Sequence, residues 1–174
     1  ANLERVDLIR TRSLQPDLEY IFKHSLTQEV VYNGLSESDR RQFHEKIGLI
    51  MEEMFYDRLN EFYETLSYHF KEGQAHLKAV EYLMKAGEKS TNRYALEESN
   101  LYFQEAFKLI AGKTDRSLPV QELLVEILSS WSWVQYFRGH FGDMHHLLIQ
   151  YKDAAELIPD KAKIGMFYAW IGLA

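Results

Sequence analysis

The groups in this chain that could do chemistry are its seven histidines, its paired glutamates and one Gly-Lys-Thr triplet. His140, His145 and His146 crowd around Asp143, and His69 and His76 flank Gly73. Imidazole and carboxylate are zinc ligands, but zinc needs three or four donors converging at about 2.0–2.2 Å. No His-Glu-x-x-His pattern is present, and a solvated helix start capped by Asp143 accounts for the cluster without a metal. Gly112-Lys113-Thr114 has the ending of a phosphate-binding loop, yet the residue five positions before Gly112 is Phe107, where that loop requires glycine. The triplet reads instead as a helix C-terminal glycine and a polar turn. Glu52-Glu53 and Glu97-Glu98 are neighbours in sequence, so on a helix their carboxylates point in different directions. Paired acid–base catalysis needs two carboxyls facing one cavity. There is no Gly-x-Ser-x-Gly elbow, and the absence of cysteine excludes disulfides, thiolate catalysis and cysteine-bound zinc. The expectation is a region without catalytic residues, metal or cofactor of its own.

Charge narrows the partners. The 174 residues carry a net charge of −6, and Arg40-Arg41, Lys78, Lys85, Lys89 and Arg93 are interleaved with acidic residues rather than forming a basic track. Neither fact favours nucleic acid. No apolar run approaches the roughly 20 residues that span a bilayer, and a cysteine-free chain is compatible with a reducing cytosol. The expected setting is cytoplasmic, the expected partner a protein or peptide. Trp131-Ser132-Trp133 bears on that partner: Trp131 falls on a core stripe, whereas Trp133 is offset by two residues and can face outward. Exposed aromatics anchor contacts in helical-repeat grooves, so Trp133 is the candidate partner-binding residue; the alternative packs both rings between helices.

The elements that must position these residues are almost all helical. Hydrophobic residues make up 46% and charged residues 26% of the chain, enough for a packed core. Residues 3–10 read as a short helix. Arg12 to Phe22 reads as a hairpin with a Pro16-Asp17 turn, in which Leu18, Tyr20 and Phe22 share one face. Ser25 with Gln28 has the spacing of a capping box, and Ser38 opens a helix with Phe43, Ile47, Ile50, Met51 and Met54 on one stripe. Further helices are expected near 59–71, 75–91, 94–111, 119–138, 143–158 and 161–174. Pro16, Pro119 and Pro159 fall at expected helix starts or ends, and short linkers carry Gly73, Gly112, Gly139 and Gly142.

Repetition selects among helical folds. Leu83-x-x-Ala86-Gly87 followed by Ser99, Phe103 and Ala106 has the spacing of a tetratricopeptide unit. Small residues at 86, 87, 99 and 106 let two helices approach, and Leu83 and Phe103 fill the gap. A weaker copy uses Leu128, Trp131 and Ser132, then Gly139-x-Phe141, Met144 and Leu148; a third begins at Tyr168. Another phase, pairing 59–71 with 75–91 through Leu66, Ser67, Phe70 and Ala79, fits as well. The expected fold is all-α, an antiparallel helical-repeat solenoid of tetratricopeptide type, with a short β-hairpin near the N-terminus. Both chain ends read as cut within elements, as in a piece of a longer protein.

Several stretches together resemble a known arrangement. The run Tyr20-Ile21-Phe22-Lys23-His24-Ser25-Leu26-Thr27-Gln28-Glu29-Val30-Val31-Tyr32-Asn33-Gly34-Leu35 resembles the end of a winged-helix module in signal-transduction ATPases. The succession Arg40-Arg41-Gln42-Phe43-His44, Leu66-Ser67-Tyr68-His69-Phe70 and Lys78-Ala79-Val80-Glu81-Tyr82-Leu83-Met84-Lys85-Ala86-Gly87-Glu88 is similar to the ATPase-plus-repeat region of bacterial class III adenylate/guanylate cyclases. The resemblance implies that residues 1–35 end a winged-helix-like module and 36–174 form the repeats. It also implies an upstream ATPase domain in the parent chain, binding ATP or ADP, and a cyclase as effector; related regulators carry kinase or DNA-binding effectors instead. In that class a Met-His-Asp motif sets its histidine against the β-phosphate of ADP. The matching residue here is His24, with Lys23 and Ser25 in place of Met and Asp. An imidazole N–H beside a helix start can donate to phosphate; the alternative is a histidine satisfied at a hairpin–helix junction. A free-standing repeat adaptor is the remaining reading.

Overall fold

A computed structural model describes residues 4, 7–13, 19–112 and 117–173. The chain divides into two compact units, residues 1–43 and 44–174, with the boundary inside a helix.

In the first unit, β1 (Ile9–Ser13) and β2 (Glu19–Phe22) pair antiparallel, with Ile9 opposite Phe22 and Thr11 opposite Tyr20. The register shifts between Thr11 and Ser13, which marks a bulge. The expected hairpin is therefore present. Its Pro16-Asp17 turn and Leu18 lie outside the described residues. The expected helix over 3–10 does not extend to its end, because Ile9 and Arg10 already belong to β1. The first helix, α1 (Ser25–Gly34), starts one residue earlier than a Ser25 cap requires. His24 holds the cap position with extended backbone (φ −128°, ψ 131°) and makes no side-chain capping bond. The expected capping box is thus replaced by backbone bonds from Thr27 and Gln28 to the His24 carbonyl. The next helix, α2 (Glu37–Met54), is capped by Ser36 rather than Ser38: the Asp39 N–H donates to Ser36 Oγ at 3.1 Å, and the Ser36 hydroxyl donates to Asp39 Oδ2 at 2.7 Å.

From His44 onward the second unit is helix and short turn among the described residues. It continues α2, then a 3-10 turn at Leu59–Glu61, α3 (Tyr63–Glu72), α4 (His76–Asn92), α5 (Leu96–Ala111), α6 (Leu118–Arg138), α7 (Phe141–Gln150), α8 (Lys152–Glu156) and α9 (Lys161–Leu173). The helix expected over 143–158 is two helices, broken at Tyr151, whose ring packs edge-on against Phe107 at 5.5 Å. Asp143 sits within the first turn of α7 instead of capping it. Asp160 caps α9, accepting from the amides of Ala162 and Lys163.

Small residues set how closely these helices pack. A Cβ on Gly87 of α4 would stand 2.9 Å from the Phe103 ring of α5, and a Cβ on Gly48 of α2 would stand 2.8 Å from the Phe70 ring of α3. Ser99 Oγ of α5 donates to the Gly87 carbonyl at 2.8 Å and meets Thr91 Oγ1 at 2.7 Å. Thr91 thus lies by Ser99 and Gly87 by Phe103, so α4 and α5 run antiparallel. In the same sense Gly48 lies by Phe70 and Gly73 by Glu45, which makes α2 and α3 antiparallel. Phe103 is 16 positions after Gly87, and Leu148 is 16 after Ser132; both Phe103 and Leu148 are buried. Helix pairs α4–α5 and α6–α7 therefore place equivalent positions in the core. The main core joins α4 to α9 through Leu83, Phe103, Leu124, Leu128, Leu148 and Phe167, each such side chain contributing about 1.5–3 kcal/mol on burial. A smaller cluster of Leu66, Phe70, Ala79 and Tyr82 binds α3 to α4.

The expected stripe on α2 is a correction. Phe43, Ile47, Ile50 and Met54 are exposed, Met51 is half-buried against the Leu66 and Phe70 cluster, and the buried residues of that helix are His44 and Gly48. The Phe70 ring needs a helix face without side-chain bulk, so the glycine face turns inward with Met51 at its edge, and the other four residues of the stripe turn out.

Candidate partner groove

A concavity in the second unit lies between α6 and α9, with a volume of about 490 Å³. Its lining includes Ser129, Trp133, Phe137, Met166, Trp170 and Leu173. On α6 the positions 126, 129, 133 and 137 follow the three-to-four spacing of one helical face, as do 163, 166, 170 and 173 on α9. Lys163 Nζ donates to Glu126 Oε2 at 2.8 Å at one end, and the Tyr136 and Trp170 rings lie 6.1 Å apart nearer the other. Advancing along α6 thus advances along α9. The two helices run parallel, with α7 and α8 as the returning segment.

Trp131 and Trp133 part company as their two-residue offset requires. Trp131 is buried, and its Nε1–H donates to Asn100 Oδ1 at 2.9 Å on α5. Trp133 is 44% exposed and forms an aromatic wall with Phe137, 3.8 Å between centroids, and Tyr136, 49% and 43% exposed respectively. Rings left in water on a rigid helix offer contact area at low entropic cost. Ser129 Oγ, at the floor, is buried without a hydrogen-bond partner, a condition that most buried polar atoms escape.

Outside the lining of the concavity, charged side chains of α4, α6 and α9 interact with one another. Lys163 is occupied by Glu126, whose hydrogen bond holds the ammonium pKa above its ordinary value. Lys85 reaches Glu81 at 2.6 Å. Glu88 on α4 has its carboxyl pKa raised, first by burial and then by the negative charge of Glu126, with Lys85 opposing.

His24, the other candidate, lies in the first unit. Its side chain is exposed at the junction of β2 and α1 and makes no capping bond. Beside it, the Lys23 ammonium pairs with Asp7 and holds that carboxyl below the usual range. His24 and Trp133 belong to different units.

Among the described residues no group of three or more His, Cys, Asp or Glu could hold a metal ion. His145 and His146 have ring centroids 6.3 Å apart, and His140 caps α7 without a side-chain bond. Lys113 and Thr114 of the Gly-Lys-Thr triplet lie outside the described residues; Gly112 caps α5, as a helix-terminal glycine should. A histidine pair that sequence spacing did not suggest joins α2 to α3: His44 Nδ1 and His69 Nδ1 are 3.0 Å apart, with Tyr68 edge-on to both rings. Burial, then the His44 charge, lowers the His69 pKa. Also missed were Met166 and Trp170, which line the groove only through the placement of α9. Among the described residues, no helix is long and apolar enough to cross a membrane. No protein-family model, curated protein or solved structure matches this chain.

Proposed function

We propose that the second unit is a tetratricopeptide-type repeat array that binds a protein or peptide partner in the groove between α6 and α9. The observation that carries this reading is the exposed wall of Trp133, Tyr136 and Phe137 over an apolar concavity of about 490 Å³. Supporting it are the antiparallel helix pairs with equivalent core positions and the parallel run of α6 and α9, which belong to stacked two-helix repeats. Binding would be coupled to other domains of a longer signalling protein. The resemblance favours an ATPase module with a cyclase effector, in a cytoplasmic setting. In such a parent His24 would face ADP, and the region itself would do no catalysis. A free-standing adaptor, or the sensor arm of a transcription regulator, needs the same groove.

The test is selection of short peptides by display on the intact chain, followed by titration against the chain and its Trp133→Ala variant. Peptides that bind the parent and lose at least about tenfold in affinity on Trp133→Ala support the groove. Peptides that bind both equally, or a selection that enriches none, overturn it.

A further inference from the structure

A second apolar surface belongs to α2 and is independent of the groove, since none of its residues lines the concavity between α6 and α9. Positions 43, 47, 50 and 54 follow the alternating four- and three-residue spacing of a coiled-coil seam. Phe43, Ile47, Ile50 and Met54 are 40–54% exposed. The helix is not free to roll them inward. Gly48 receives the Phe70 ring, His44 meets His69 at 3.0 Å, and Glu52 accepts from the Tyr82 hydroxyl at 2.7 Å and from the Lys78 ammonium. These contacts commit another side of α2 to α3 and α4. Turning α2 to cover the seam would break all of them, so the seam is left for a partner.

Two charges border the seam and identify that partner. Lys46 and Glu53, both exposed, lie along one flank of it, seven positions and about 10 Å apart. Among the described residues neither has an ion-pair partner. About the midpoint between Ile47 and Ile50 the pattern is its own complement. A second α2 laid antiparallel on the first puts Ile47 against the partner's Ile50 and Phe43 against the partner's Met54. The same placement brings Lys46 to the partner's Glu53, and a two-fold axis makes every contact twice. Charges flanking an apolar seam set partner choice and orientation. Charges of one sign would call for a different protein; a cation and an anion at equivalent places call for another copy.

We propose that α2 is the contact surface of an antiparallel homodimer, with Phe43, Ile47, Ile50 and Met54 of both copies at its centre and its register set by Lys46 and Glu53. The apolar seam supplies affinity, and the two ion pairs supply orientation. Four side chains per copy make a small interface. Interfaces burying less than about 1,200 Å² in total are weak and reversible, so monomer and dimer exchange with concentration.

Sedimentation equilibrium on the full chain tests this. The chain is expected to pass from monomer toward dimer over roughly 1–500 µM. Ile50→Asp should keep it monomeric, with circular dichroism checking the fold. Lys46→Glu and Glu53→Lys each set like charges face to face at two places, and each should weaken self-association at least about tenfold. Mixed in equal amounts, these two variants should associate with each other to within about threefold of the parent, because their heterodimer again pairs opposite charges at both places. These differences should shrink at about 0.5 M salt. A chain that stays monomeric throughout the range overturns the proposal. So does a dimer that Trp133→Ala dissociates and Ile50→Asp leaves intact, since the copies then meet at the groove. If Lys46→Glu and Glu53→Lys associate as well as the parent and mixing gains nothing, the antiparallel pairing is overturned.

Discussion

Gly87 shows how much one missing methyl group decides in this molecule. In an exposed helix, glycine to alanine gains up to about 1 kcal/mol, and Gly165 of α9, with no atom within 4 Å of its would-be Cβ, should behave so. At Gly87 the same change drives a methyl to 2.9 Å from the Phe103 ring, and Phe103 is only 1% exposed and has nowhere to go. Gly87→Ala is expected to destabilise by about 1–3 kcal/mol and Gly165→Ala to stabilise, the opposite signs being read by urea unfolding. The His44–His69 pair is the second residue-scale case. At 3.0 Å between Nδ1 atoms one imidazole must donate and the other accept. Burial, followed by the His44 charge, sets the folded-state pKa of His69 below its usual value of 6.5. The unfolded chain therefore takes up the proton first. This contribution to stability is full above pH 6.5 and is lost as the pH falls through 6.5 toward the folded pKa. Urea midpoints at pH 7.5 and pH 5 should differ more for the parent chain than for His69→Gln.

At the scale of elements, three helix ends share one device. The amides of Ala75, Ala95 and His140 return to the carbonyls of Phe70, Ser90 and Gln135, five residues back. Each such turn places one residue in the left-handed region: Gln74 at φ 60°, Tyr94 at 59° and Gly139 at 74°. Only the last is glycine, the residue that this position favours. Tyr94 is 83% exposed and gains little from packing, so Tyr94→Gly should raise stability by about 0.5–1 kcal/mol and Gly139→Ala should lower it by a similar amount. Paired thermal melts decide. The two turns at Gln74 and Tyr94 illustrate what sequence patterns leave hidden: neither residue signals a left-handed turn, yet the buried Phe70 and Ser90 behind them fix the chain's exit. The broken helix at Tyr151 has the same origin, since its apolar spacing is continuous and only the ring's contact with Phe107 is tertiary.

For the molecule as a whole, scaffold and groove use different aromatic residues, and substitution should separate them. Phe167 is fully buried in the core that joins α4 to α9, so Phe167→Ala is expected to cost about 3–5 kcal/mol. Trp133→Ala, at an exposed ring, should change stability by less than about 1 kcal/mol while removing peptide binding; thermal melts and anisotropy on the same samples test both. The helical content, the hairpin and the inward stripes of α4, α5 and α6 were legible in residue types and spacing, because period and small-residue placement are local properties of the chain. The two-residue offset of Trp133 from the core stripe was legible for the same reason. The inner face of α2, the histidine pair and the groove walls were not. Each depends on which helix lies alongside, and that choice is made by the fit of Gly48 to Phe70 and by the parallel placement of α9 beside α6. The sequence by itself determined which faces are apolar; the tertiary structure decided which of those faces are covered, because coverage is a relation between segments far apart in the chain.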